Sequence, residues 1–243
     1  MITGIIVALP EEISSLTSKK ICKGDCFFIN ENILVACSGA GPENATKASQ
    51  LLINKGAKRL ISWGCAAALK VNLHPGDLVL PQTLITEEQR QFSNLHINTP
   101  WLENVLDHLS PLNPYTGPLA ESSFIVAESA DKKLIHKQTR AIALDMESIA
   151  VAKIAIEYKI PVLVIRCIAD PVSMSLPKAV SYALNKQGDI ILAKLLWFLL
   201  THPSELPGLI KLGLHFNAAK NKLKLVANQL DIIVGFEQNT AIK

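Results

Sequence analysis

Between Ala143 and Asp170 the chain reads as loop, buried helix, turn and buried strand, closed by an acid. Residues 148–158 are apolar nearly all round, the pattern of a mostly buried helix. Lys153 and Glu157, four apart, share its one wet edge. Ile160–Pro161 ends the helix, because a residue before proline disfavours helical geometry. Val162 to Ile168 is a β-branched run of the kind found in a central parallel strand covered on both faces. Thr3 to Leu9 reads as a first strand, residues 26–38 as a hairpin turning at Asn30-Glu31-Asn32, and Arg59 to Trp63 as a further buried strand followed by a turn, GCAAAL. Ser38 to Asn44 is a glycine loop opening a helix over 45–55, which Gly56 caps. Pro75-Gly76-Asp77 turns into a short strand over 78–80. Between Gln82 and Pro118 the signal fades, apart from a helix near 101–109 and a Pro-rich surface loop. Phe124 to Ala127 reads as a strand and 132–138 as a helix. PVSMSLP after Asp170 suits a lid, and helices follow at 179–184 and 190–200. From Thr201 the character changes to a Pro-broken, Leu-rich, basic helical stretch. Strands alternating with helices predict an α/β domain over residues 1–200, with 201–243 as a helical apolar and basic extension.

The 243 residues, 49% of them hydrophobic, are enough to bury a large core. A net charge of +3 and few aromatics exclude a nucleic-acid partner. Cys22, Cys26, Cys37, Cys65 and Cys167 are odd in number and fit no zinc or disulfide spacing, so no metal is expected on them and a reducing cytoplasm is the expected setting; no cofactor is expected either. The start, MITGIIVALPEE, lacks a basic leader and reads as a strand. No apolar run reaches the roughly 18 residues of a transmembrane helix.

Open α/β sheets bind ligands outside the carboxyl ends of their strands. Asp170 would sit there, with Glu147 at the mouth of the preceding helix. Half-desolvated carboxyls have raised pKa values, which suits a general acid near neutral pH. Equally, Glu147 can cap a helix and Asp170 can start a turn before Pro171. Glu11 and Glu12, after the first strand, can simply complement a helix N-terminus. Arg166 stands in an apolar run and needs a carboxylate partner if buried; Glu12 is the expected one. The glycine loop can cradle an anion, but no cation accompanies it before Lys47. A reactive Cys65 would need a nearby His, Lys or helix N-terminus, and no His partner is indicated.

DMES and RCIAD, separated by a helix and a strand, together with GIIVALPEE and SWGCAAAL, resemble the purine nucleoside phosphorylase and methylthioadenosine/S-adenosylhomocysteine nucleosidase superfamily over roughly residues 1–200. The resemblance implies a three-layer α/β phosphorylase/hydrolase-like fold, its central mixed, partly barrel-like sheet flanked by helices. It implies that Asp170 protonates the leaving purine and that Glu12 activates the attacking water. Glu147 would hold the ribose and Met146 pack beneath it, with Arg166, Gly64, Cys65, Ala66 and an aromatic such as Phe124 around the substrate. The chain departs from the family at Cys65, where a Ser is usual, and at Ala67 and Ala68, which replace glycines.

DMES, ADP…LP and HPSELPGLIKL together resemble the hopanoid-biosynthesis nucleosidases, which act on adenosylhopane. The resemblance thus implies cleavage of the N-glycosidic bond of an adenine nucleoside, the substrate carrying a lipid in that subgroup, by a homo-oligomer. Water is the expected nucleophile, since the arginines that bind phosphate in the phosphorylase branch are missing and Glu12 would repel a phosphate dianion. Phosphorolysis stays open if a neighbouring subunit supplies Arg90. A non-catalytic nucleoside- or lipid-binding protein on the same fold is the third reading. The extension can pack on the body, on a second subunit or against a membrane.

Overall fold

The computed structural model describes residues 1–88, 91–97, 99–183 and 191–236. In chain order the elements are β1 (Thr3–Val7), α1 (Pro10–Ile13), β2 (Cys26–Asn30), β3 (Ile33–Cys37), α2 (Pro42–Asn54), β4 (Arg59–Ala68), β5 (Leu78–Val79), β6 (Thr83–Glu88), β7 (Gln91–His96) and α3 (Pro100–His108). There follow β8 (Leu119–Glu121), α4 (Ser129–Thr139), β9 (Ala143–Asp145), α5 (Ser148–Glu157), β10 (Val162–Asp170), α6 (Lys178–Ala183), α7 (Leu192–Thr201), α8 (Leu206–Ala227) and α9 (Leu230–Gly235).

The strands form one mixed sheet in the order β2-β3-β1-β4-β9-β8-β6-β7, forked at β4, which also pairs with β10. β1 runs parallel to β3 and β4, and β10 runs parallel to β4. Their carboxyl ends therefore lie together, which is where such sheets bind ligands. β4 is longer than its sequence implied. GCAAA is strand rather than turn, because it stays paired with β10 on one side and reaches β9 through Ala67 and Ala68.

Alternation along the central strands sorts their side chains into two layers. Ile6, Leu34, Leu60, Val164 and Ile168 meet α2 and α5 through Ala48, Leu52, Val151, Ala152 and Ala155. Ile5, Val7, Ile61, Trp63, Ile165 and Cys167 meet α3, α8 and α9 through Trp101, Val105, Ala219, Leu223, Val226 and Ile233. Helices thus cover both faces, as expected of strands that are apolar throughout. Gly4 makes the first layer tight: a Cβ there would lie 2.9 Å from Leu60 and 3.1 Å from Leu52.

The stretch after Thr201 is tied to the body. Trp101 Nε1 donates to the carbonyl of Ile233 at 2.7 Å, and Arg59 donates to that of Phe236 at 2.6 Å while lying over the Trp101 ring. Two expectations fail locally. Residues 124–127 form no strand, and β6 with β7 fills the stretch where no pattern was legible. Leu184 and Ile190, expected in helices, lie outside the described residues.

Leu223 is fully buried between α8 and the sheet. Leu223→Ala is expected to destabilise the protein by about 2–5 kcal/mol, read as a lowered midpoint in urea.

Candidate active site

Glu12, Glu147 and Asp145 gather around Arg166 near the carboxyl ends of β1, β4 and β10, while Asp170 pairs separately with Lys132. Pro10 at the start of α1 and the tight turn after β1 bring Glu12 inward, while Glu11 stays exposed. Glu12 is 4% exposed; its Oε1 accepts from the Cys65 amide at 2.7 Å and its Oε2 from the Leu9 amide at 3.1 Å. Gly64 permits this approach, since a Cβ there would lie 2.8 Å from Glu12 Oε1. Burial raises the Glu12 pKa, and the Cys65 amide and the charge of Arg166 oppose the rise.

Glu147 caps nothing with its side chain. It reaches the glycine loop instead, where its Oε1 accepts from the Gly41 amide at 2.8 Å. Its pKa is raised to about 7, first by burial and then by the neighbouring Asp145, against Arg166 and the Gly41 amide. The loop thus spends an amide on a protein carboxylate. A pocket lined by Lys23, Ser38, Asn44 and Lys47 adjoins it, so a cation does stand near this loop, Lys23, from before β2.

Arg166 is buried on β10, as expected, but its ion-pair partner is Asp145 rather than Glu12. Nε donates to Asp145 Oδ2 at 2.5 Å and a terminal nitrogen donates to Ser62 Oγ at 2.7 Å. Asp145 also accepts from the Ser148 hydroxyl and, at 3.3 Å, from the Ser148 amide. β9 ends at Asp145, and that position decides the pairing; its side chain was the unassigned acid of DMES. Arg166 still bears electrostatically on Glu12 and Glu147.

Asp170 is the last residue of β10 rather than the first beyond it. It pairs with Ala67 after a register shift that leaves Ala169 unmatched, a bulge of the kind that re-aims a side chain. Its Oδ2 lies 2.6 Å from Lys132 Nζ, and its Oδ1 is buried without a partner. Burial raises its pKa and Lys132 opposes the rise. Lys132 was not singled out in the sequence, where it stands in a run of surface-like charges.

Met146 is half-buried between Asp145 and Glu147, and Gly64 and Ala66 are buried on β4. Cys65, between them, is half-buried, and its amide donates to Glu12. Burial and Glu12 push its thiol pKa well above the ordinary value, the opposite of what an activated thiolate needs. Phe124 does not join the cluster through any described contact; its side chain is 71% exposed. Among the described residues no group of His, Cys, Asp and Glu could hold a metal.

The sequence profile of the Phosphorylase superfamily matches residues 3–196. The chain belongs to that superfamily. A 5'-methylthioadenosine/S-adenosylhomocysteine nucleosidase of Buchnera aphidicola subsp. Baizongia pistaciae is 29% identical over 209 residues, covering 75% of this chain and 83% of that protein. A namesake from Staphylococcus carnosus is 24% identical over 225 residues, 79% of this chain and 98% of the relative. In fold, the chain is similar to the Helicobacter pylori 5'-methylthioadenosine/S-adenosylhomocysteine nucleosidase, with a TM-score of 0.69, 16% identity and coverage of 96% and 97%. It is similar also to the futalosine hydrolase of the same organism, with a TM-score of 0.67, 16% identity and the same coverage. The protein is an enzyme of N-glycosidic bond cleavage, nucleosidase or nucleoside phosphorylase in kind.

Glu147 gives a signed prediction. Its folded pKa of about 7 stands above the ordinary 4.5, so its contribution to stability is complete below 4.5 and is lost as pH rises toward 7. Glu147→Gln keeps an acceptor for the Gly41 amide. The variant should melt above the wild type at about pH 8, with the gap closing near pH 4 in parallel thermal scans.

Proposed function

We propose that the protein hydrolyses the N-glycosidic bond of a purine nucleoside, with adenine as the leaving base. The observation that carries this reading is the placing of Glu12, Glu147 and Arg166 in one buried cluster at the sheet edge, with the arginine already engaged by Asp145. A phosphate dianion would meet two carboxylates there. Of the remaining arginines, Arg59 starts β4 at the opposite end of the strand, Arg140 caps α4, and Arg90 lies outside the described residues.

In this reading the bond to the base breaks ahead of full attack, and positive charge grows on the ribose. Glu147 holds the ribose hydroxyls and faces that charge, and Met146 packs beneath the sugar. Glu12, fixed by two amides, takes a proton from the attacking water. Asp170 donates a proton to the imidazole ring of the purine, which departs neutral. Gly64, Cys65 and Ala66 form the floor. Each such contact typically lowers the barrier by a few kcal/mol.

One observation favours the rival, phosphorolysis. Lys23, Ser38, Asn44 and Lys47 line a pocket beside the glycine loop and have the chemistry of an anion site.

The distal ribose substituent is a large apolar group, as in adenosylhopane, and the protein acts in hopanoid synthesis as a homo-oligomer in the cytoplasm, in contact with the membrane surface. Support comes from exposed apolar side chains: Leu196, Trp197 and Leu200 on α7, and Leu206, Ile210 and Leu214 on α8. Exposed Lys194 and Lys211 stand beside them, as in interfacial helices that lie on anionic lipid. No helix among the described residues is long and apolar enough to cross a membrane.

Incubation with adenosine and 5'-substituted adenosines, with and without phosphate, tests the chemistry. Free adenine released at the same rate without phosphate is expected; an absolute phosphate requirement would replace hydrolysis by phosphorolysis. Asp170→Asn should lower kcat by roughly 100-fold or more with binding retained. Vesicles containing anionic phospholipid should sediment the wild type, and Trp197→Glu should abolish that binding without changing turnover of adenosine.

A further inference from the structure

We propose that Lys132 is a positioning residue for the acid at the end of β10: its buried ammonium clamps one carboxylate oxygen of Asp170 and leaves the other for the purine. The inference rests on the reading of Asp170 as the proton donor to the base.

α4 is a surface helix, and Lys132 is its one buried side chain, with no exposure at all. Taking an ammonium fully out of water costs several kcal/mol before its partners compensate. An apolar residue of similar length would fill the same space without that cost, so packing alone does not account for a lysine. Its partners do. Nζ lies 2.6 Å from Asp170 Oδ2, donates to the Met174 carbonyl at 2.8 Å, and lies 3.5 Å from that of Pro171. All three belong to the five residues beginning at Asp170.

The start of α4 grips the following residues as well. The Leu176 amide donates to the Ala127 carbonyl at 2.8 Å, the Ser129 amide to Ser175 Oγ at 3.1 Å, and Ser175 Oγ to Glu128 Oε2 at 2.9 Å. The segment after the bulge is thus fastened to one helix end, and the carboxylate is fastened inside it. Asp170 Oδ1 is left buried and unpartnered. A buried acceptor without a partner calls for an explanation. A hydrogen-bonding edge of a bound purine supplies one.

The clamp also sets the acid's proton affinity. Burial raises it, and Lys132 is the charged group shown to act on Asp170 among the described residues, lowering it. Without the ammonium, Asp170 would hold its proton to higher pH. A general acid works in its protonated form, so the alkaline limb of the rate profile would move upward.

The test uses the full chain, a 5'-substituted adenosine that it cleaves, and adenine release across pH. Lys132→Met is expected to lower kcat about 10–100-fold with KM within about threefold, the cost of a misplaced catalytic group. The alkaline limb of kcat/KM should shift to higher pH. Lys132→Gln, which keeps a neutral donor, should recover part of kcat but not the limb, and it serves if the Met variant fails to fold. In an Asp170→Asn background either change should cost little more, since both act through one carboxylate. Wild-type kcat with an unmoved limb, or additive losses in the double variant, would overturn the role of Lys132 alone. Wild-type turnover by Asp170→Asn would overturn the acid itself, and Lys132 with it.

Discussion

The buried contact between Arg166 and Asp145 organises the site. One guanidinium, 2% exposed, stands among three carboxylates, and burial opposes its charge and those of Glu12 and Glu147. Breaking such a pair by removing one partner costs about 3–5 kcal/mol, because the remaining charge is stranded. Here the pair has a second consequence. Asp145 takes the Nε of the arginine and Ser62 takes a terminal nitrogen, so the side chain is fixed with its charge beside Glu12 and Glu147. That charge lowers the proton affinity of both glutamates while Asp145 raises that of Glu147. With burial as the largest cause and Asp145 the next, the Glu147 pKa stands at about 7. The same charges that would hold a sugar work against the folded state, a common tension at functional sites.

The framework around that pair was legible where apolar period and length agreed. β1, β3, the first half of β4, α5 and β10 are long runs with a single reading, and the structure keeps them within a few residues. β8 and β9 span three residues each, below the length at which alternation can be counted. β6 and β7 pair as TLITEE with QFSNLH, polar enough to pass for loop. Residues 124–127, FIVA, have strand composition but meet no ladder; Phe124 and Ile125 are exposed, and the Ala127 carbonyl accepts from Leu176. Composition alone does not supply a neighbouring strand.

The site divides in the same way. Glu12, Glu147, Arg166 and Asp170 were recognisable as charges beside apolar runs. Their partners were not, because partners are set by sheet order. β9 lies against β4, across that strand from β10, only because β4 continues through GCAAA, and that continuation delivers Asp145 to Arg166. Lys132 is a stronger case. Read locally, SADKKLIHK is a solvated helix face, and nothing within it distinguishes Lys132 from Lys133. Only the segment after β10 folding back onto the start of α4 buries the first and leaves the second exposed.

The bulge at Ala169 releases the acid at the end of a buried strand from the alternation of the residues before it. In unbroken register, Asp170 would follow Arg166 and Ile168 on one face of β10, and Ile168 packs with α2 and α5. The carboxylate would then stand on the face that Ile168 turns toward the apolar layer of α2 and α5. One extra residue on β10 against β4 breaks that alternation where the ladder ends. Pro171 cannot donate to a ladder, so pairing stops there and the chain turns toward α4. The acid is thereby placed between a rigid strand and a segment fastened to α4, with one oxygen held by an ammonium and the other without a partner. Rigid placement of that kind matters more to proton transfer than the number of acids nearby, because a donor about 1 Å out of place can lose two orders of magnitude in rate.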